Sequence, residues 1–203
     1  MKQHTNNWVP FFLALVFALI AHQVTGQADP EWLKSWEEAE QAKPSTVRSV
    51  SRIASEEEPG VPFVIRAQLY HPDGKPAKDV LVHAYHRDVE GYDFGKNDSS
   101  FTIWRLQGWA KTDENGRFEF HSIRPAADHL GREGAHIHLT IVSRDYGRQW
   151  LPTVYLADDP AVTASQRQRS KEAEPFGWVC EPKESGGIQY LDAKMRLKQK
   201  GDF

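Results

Sequence analysis

One cysteine, Cys180, stands in 203 residues, so no internal disulfide forms and a disulfide-framework domain is excluded. Nothing near Cys180 in the chain would lower its pKa, and it reads as a small buried hydrophobe, not a nucleophile. A basic excess is also missing. The 25 Lys+Arg face 28 Asp+Glu, for a net charge of -3, which leaves no electrostatic footprint for the phosphates of nucleic acid. There is no Gly-rich phosphate loop, GxSxG elbow or Cys-based zinc signature, and NTP-dependent and serine-hydrolase chemistry are poorly supported. Internal repeats and low-complexity tracts are lacking as well. Mean hydropathy is low at -0.62, yet aromatic residues make up 11% and Trp numbers 7, which argues for a packed core and against disorder.

Only one long apolar run is present, from Val9 to Ala21. It falls short of the roughly 20 residues that a bilayer-spanning helix needs. With Lys2 ahead of it and small residues at Val24-Thr25-Gly26 and Gly26-Gln27-Ala28 behind, it reads as a secretory signal cleaved after Gly26 or Ala28. An uncleaved anchor is the alternative. The expectation is an exported protein, secreted or periplasmic, without stable membrane association. Residues 1–26 would be the signal peptide, 27–60 an N-terminal helix and linker arm, and 61–203 a single domain.

Asp29-Pro30-Glu31-Trp32 opens like a helix, with Asp29 as N-cap and Pro30 in the first turn. Trp32 and Trp36 fall four apart on one face, which either packs on its own domain or on a second subunit. The stretch 44–60 is Ser-rich and acidic, as in a linker or surface arm. From Val61 the period becomes two. Phe63, Ile65, Ala67 and Leu69 alternate with Val64, Arg66, Gln68 and Tyr70, the pattern of a strand with one buried face. Further strands are predicted over 79–87, 108–112, 117–123, 135–142 and 150–155, with a last one at 188–191. Asp113-Glu114-Asn115-Gly116 forms a hairpin turn between two of them. Several short strands with little helix give an all-β chain folded as an antiparallel β-sandwich behind a short N-terminal helix.

His136-Ile137-His138 lies inside a predicted strand. Side chains at i and i+2 share a face, so two imidazoles there can converge on one metal ion while Ile137 faces the other way. The alternative is a pair of solvated or hydrogen-bonded histidines. Tyr92 sits in a Gly- and Asp-rich loop that runs from Asp88 to Asp98. It is either a surface aromatic or a phenolate ligand, and the second role calls for a hard, highly charged ion. His83 and His86, three apart in a strand, point to opposite faces and cannot share a metal. Tyr155 reads as packing.

Four pieces, PDGKPAKDVLVHAYHRDVEGYDFGKND, GWAKTDENGRFEFHSIRP, GAHIHLTIV and LPTVYLADDP, come in the order and close to the spacing found in one family. Together they make the stretch from Pro62 to Pro160 resemble the catalytic core of the intradiol ring-cleavage dioxygenases. The resemblance implies a prealbumin-like sandwich and a non-haem Fe(III) site with two tyrosines and two histidines, matched here by Tyr92, His136 and His138. It also implies a small catechol-type aromatic substrate that reacts with O2, the ring opening between its hydroxyl-bearing carbons to a cis,cis-muconate. Three positions depart from the pattern. The family's second Tyr follows an I-x-P segment, but Ile123-Arg124-Pro125 leads into Ala126-Ala127-Asp128-His129-Leu130, so Asp128 stands at the matching offset as a replacement ligand, with His129 as the alternative. The family's Arg, three residues before the first His, is Glu133, which leaves Arg132 as the candidate catalytic cation. Its Gln in the T-Q-x-Y segment is Val154. The rival expectation is a noncatalytic sandwich module that binds a ligand or partner, with its histidines idle or holding zinc.

Overall fold

The computed structural model describes residues 28–96 and 103–199; the signal peptide expected over 1–26 lies outside them. The first element of the described residues is helix α1 (Pro30–Gln41), and Asp29 caps it by accepting the backbone N–H groups of Glu31 and Trp32. A cap of this kind stabilises a helix by about 1 kcal/mol. No described helix is long and apolar enough to cross a membrane.

Two sheets follow. In the first, β1 (Val50–Arg52), β5 (Arg117–Ile123), β2 (Pro62–Tyr70), β11 (Ile188–Arg196) and β10 (Lys183–Ser185) lie side by side in that order. The second runs β4 (Gln107–Lys111), β3 (Leu81–Tyr85), β6 (His136–Ser143), β8 (Val154–Leu156) and β9 (Val179–Cys180), with β7 (Gly147–Trp150) also paired to β6. Their inner faces enclose one core. Phe63, Ile65, Leu69 and Phe120 come from one sheet and meet Val82, Ile137, Leu139 and Ile141 from the other, every one almost wholly buried. The alternation seen in the sequence thus marks the core face of β2, as a pleated strand requires. Architecturally this is the all-β, two-sheet arrangement that the strand count implied, but the sheets are mixed and not antiparallel throughout: β11 runs parallel to β2, β1 to β5 and β9 to β8.

Several details differ from the sequence reading. The segment 50–52 of the expected arm is strand β1, paired parallel to β5. The strand expected over 150–155 is two, because Pro152 has no N–H to continue a ladder; β7 and β8 both pair antiparallel with β6, their register one residue apart across the break. Helix α2 (Ala164–Glu172) is polar nearly all round and so lacks an apolar stripe to betray it; its start is marked by a capping box between Thr163 and Gln166.

Helix α1 lies on the outer face of the second sheet, which answers the question raised by its tryptophans. Trp36 packs against Trp109 and His83, and Trp109 Nε1 donates to the Ala39 carbonyl at 3.0 Å. Trp32 Nε1 donates to the Tyr85 hydroxyl at 3.2 Å. This second, aromatic cluster is separate from the main core and braces the strand that carries Tyr85. His83 faces it and gives its Nε2–H to Gln107, whereas His86, just past the strand, reaches across to Ser122.

Candidate metal centre

Strand β6 carries both histidines of the HxH segment. Ile137 between them is fully buried in the core, and the pleat turns His136 and His138 to the opposite face. His136 Nδ1 lies 2.6 Å from the Gly134 carbonyl. A carbonyl only accepts, so Nδ1 carries the proton and Nε2 of His136 presents a lone pair. That Nε2 is 2.8 Å from His138 Nε2, with the rings crossed at 88°. The contact is a hydrogen bond when His138 Nε2 carries its proton, and a pair of converging lone pairs once that proton moves to Nδ1.

Two nitrogens bound at about 2.1 Å to one ion stand about 3.0 Å apart at a right angle. The observed 2.8 Å is therefore a spacing that two imidazole ligands of one metal would show. Burial holds both rings neutral at ordinary pH, which is the ligating form. It lowers His136 below its usual value and pushes His138 down to about 3, the neighbouring His136 adding to the second effect.

The wall around the pair is polar on one side and aromatic on the other. Tyr85 stacks on His138 at 4.6 Å and is itself stacked on Trp104 at 4.0 Å, so the helix-braced aromatic cluster fixes the orientation of one ligand. Burial pushes the Tyr85 hydroxyl well above the usual phenol value; it is not a phenolate. On the polar side Glu133 Oε2 lies 3.7 Å from His136 Nε2. Tyr155 donates its hydroxyl to Glu133 Oε1 at 2.8 Å, and Arg87 spans Glu133 at 3.4 Å and Asp93 at 3.1 Å. Burial and the bond to Glu133 raise Tyr155 to about 12, so this phenol too stays protonated.

The remaining residues singled out in the sequence fall in two loops zipped to each other beside the site. Tyr92 stacks on His129, ring centres 4.4 Å apart. Among the described residues no hydrogen bond or ring contact joins Tyr92 to His136 or His138. Its loop is built on Asp88, which accepts the N–H groups of Glu90 and Tyr92. Gly91 is required there: its φ is +86°, and a Cβ would come within 2.4 Å of the Ala127 carbonyl. Asp128 organises its own loop, accepting from the Leu130 N–H at 2.7 Å and from Arg132 Nε at 3.0 Å. These two donors, the backbone N–H first, hold its carboxyl down at about 2. Arg132 is 72% exposed and tied to Asp128. The cation beside the imidazoles is Arg87, only 15% exposed, and both histidines feel its charge.

Of the expected donor set the two imidazoles lie side by side, whereas among the described residues no hydrogen bond, ion pair or ring contact joins Tyr92 or Asp128 to them. Among the described residues, no group of three His, Cys, Asp or Glu side chains closes on a point in this conformation. Sequence reasoning missed Arg87, Glu133 and the polar role of Tyr155. Glu133 carried a readable signal, three residues before His136 on the way into the strand. A cleft of 1050 Å³, lined by Arg66, Arg117, Arg167, Asp192 and Cys180 among others, lies elsewhere and includes neither histidine.

Comparison with known proteins gives this arrangement a context. Residues 37–175 match the Dioxygenase family. Catechol 1,2-dioxygenase 2 of Acinetobacter lwoffii is 27% identical over 157 residues, which cover 64% of this chain and 57% of that protein. Catechol 1,2-dioxygenase 1 of the same organism is 28% identical over 118 residues, 50% of this chain and 38% of the other. The match therefore spans little more than half the length of the first relative and 38% of the second. The fold is similar to catechol 1,2-dioxygenase from Acinetobacter sp. ADP1, with a TM-score of 0.55 at 19% identity over 82% of this chain and 68% of that one. An intradiol ring-cleavage dioxygenase from Tetranychus urticae gives 0.54 at 16% identity, covering 78% and 92%. The family match spans both histidines and the Tyr92 loop, and with it the chain belongs to the intradiol ring-cleavage dioxygenase family.

Proposed function

We propose that this protein is an exported, iron-dependent oxidoreductase that opens the ring of a catechol-type aromatic with O2. The observation that carries the reading is the pair of neutral, buried imidazoles with their Nε2 atoms 2.8 Å apart at one end of the sandwich, in a chain of this family. Export rests on the apolar run from Val9 to Ala21 alone. Both oxygen atoms of O2 enter the product as the carbon–carbon bond breaks, so no external reductant is needed.

His136 and His138 would hold the iron, which when bound supplies a Lewis-acidic centre for adjacent ring oxygens. The chain's own groups do the rest. Gly134 fixes the His136 tautomer, and Tyr85, pinned by Trp32 and Trp104, fixes the plane of His138. Arg87 lies beside the pair with its charge shared between Asp93 and Glu133, positioned to stabilise negative charge on a bound diol. Glu133 is the nearest carboxylate to accept a proton that a diol releases on binding, with Tyr155 hydrogen-bonded to its other oxygen.

The test is oxygen uptake by the iron-loaded protein with catechol and substituted catechols, with the product followed by mass. The expected result is one O2 consumed per ring opened, lost in His136→Ala and His138→Ala. Metal retention without O2 uptake on any diol would favour the noncatalytic module, a rival supported by the departure at Asp128.

A further inference from the structure

The cleft of 1050 Å³ that lies away from the histidines crosses the outer face of the first sheet. Its lining runs from Val50 on β1 through β5 and β2 to Lys194 on β11, four adjacent strands, about 14 Å at the usual strand spacing. Helix α2 closes one side, with Lys171 in its last turn. Alternation decides which groups face the cleft. Ala67 and Ala193 are buried in the core, so their neighbours Gln68 and Lys194 point outward. In register, Lys194 stands beside Gln68 and Gln68 beside Arg117, which sets the two cations about 10 Å apart in one row. Among the described residues the side chains of Lys194, Arg117 and Lys171 make no ion pair or hydrogen bond. The next row is already paired: Arg66 forks onto Asp192 at 2.8 and 3.1 Å, and Glu119 accepts from His121 at 2.7 Å. Arg167 gives its guanidinium to the Ala157 and Asp159 carbonyls. Two further carboxylates, Asp113 and Glu174, also line the cleft.

A cleft of this length takes a chain and not a single ring. A peptide gains little there, because β5 and β2 are each paired on both sides and offer no edge for an added strand. Neither bases nor neutral sugars find a stacking face: among the described residues Phe118 is the one aromatic in the lining, and it is 3% exposed. Charge therefore has to hold the occupant. Unpartnered cations in a cleft that also carries carboxylates suit a chain whose acidic units alternate with neutral, hydroxyl-rich ones. Guanidinium and ammonium take the acids, and Asp113 and Glu174 accept hydroxyls. A dense polyanion would press like charge on those carboxylates. The chain's net charge is -3, so three unpartnered cations in one cleft do not follow from a basic composition. We propose that this cleft is a second site, separate from the histidine pair, which binds an acidic polysaccharide of alternating uronic acid and neutral sugars. The site tethers the protein to such a polymer and is independent of ring opening at the histidines.

Binding to the full-length protein is measured by calorimetry with hyaluronan and glucuronoxylan fragments, which mix uronic acid with neutral sugars. Heparin, poly-glutamate and a cello-oligosaccharide serve as comparison ligands. Wild type is expected to bind at least one of the two fragments more tightly than any comparison ligand. Arg117→Gln, Lys171→Gln and Lys194→Gln combined should weaken that binding at least about tenfold. The urea midpoint should not change, because all three side chains are exposed and without partners among the described residues. Lys75→Gln, at an exposed lysine outside the cleft, should bind as wild type. Absence of binding to both fragments overturns the proposal, as does a triple variant that binds like wild type. Tighter binding of heparin, or an equal loss in Lys75→Gln, overturns it in favour of general cation exchange; tighter binding of poly-glutamate does so in favour of an acidic peptide partner, and of the cello-oligosaccharide in favour of a neutral glycan. Oxygen uptake with catechol should be the same in the triple variant as in wild type, and a parallel fall overturns the separation of the two sites. A wild type that binds the fragments but takes up no oxygen sinks the ring-opening reading and leaves this one standing.

Discussion

His83 makes the folded protein sensitive to acid by an amount that can be worked out. It is fully buried, ringed by Trp36, Trp104, Trp109 and Tyr85, and its one hydrogen bond among the described residues is from Nε2–H to Gln107. Burial, only partly offset by Gln107, lowers it from 6.5 to about 4. Between these values the unfolded chain binds more protons than the folded one, so stability is complete above pH 6.5 and falls as pH falls toward 4. Integrating this single titration from pH 7.5 to pH 5 gives a loss of about 2 kcal/mol. Replacing His83 by Phe removes the titration and keeps a ring of similar size in an aromatic pocket. The half-buried Gln107 loses its donor, which costs about 1 kcal/mol at any pH. Urea unfolding followed by tryptophan fluorescence at pH 7.5 and pH 5 should show wild type losing about 2 kcal/mol more than His83→Phe over that interval. His86, also near 4 through burial, titrates in both proteins and cancels. Stabilities that fall in parallel would refute the argument and mean that the surrounding ring faces hold a protonated His83 as well as water does.

Four further outcomes follow from particular contacts. Trp36→Ala empties a buried site between α1 and the second sheet and should cost about 3–5 kcal/mol in urea unfolding, with loss of near-UV ellipticity. Gly91→Ala forces a side chain into a φ of +86° and onto the Ala127 carbonyl; the backbone strain alone is on the order of 1–3 kcal/mol, and a thermal midpoint equal to wild type would contradict it. Arg132→Ala should leave kcat and stability within about 0.5 kcal/mol of wild type, because its guanidinium is exposed. Arg87→Lys should lower kcat/KM at least tenfold, because a single ammonium does not bridge Asp93 and Glu133 as a planar fork does.

Much of the scaffold was legible because its signals are local. Alternation in 62–70, the Asp-x-x-Gly turn at 113–116 and the Asp29-Pro30 helix start each depend on neighbours a few residues away. The HxH spacing likewise places two imidazoles on one face of β6 whatever the rest of the chain does. What was not legible depends on pairing across distance. Strand β1 exists only because β5 offers a free edge to it, and α2 has no apolar stripe because little of it is buried. The same division runs through the site. Asp128 stands at the offset where an anion was expected, and in the fold it accepts from its neighbours Leu130 and Arg132, which no local pattern announces. Arg132 is the nearest arginine in sequence to His136, yet the one that reaches the pair, Arg87, comes from the end of another strand.

Sequence alone therefore determined the two-sheet, all-β scaffold and the shared face of the two histidines, since each follows from backbone periodicity. Only the tertiary structure decided which charges surround them. Strands β3, β6 and β8 lie next to one another in a single sheet, and that adjacency, set by long-range hydrogen bonding, brings Tyr85, Arg87, Glu133 and Tyr155 around one pair of imidazoles.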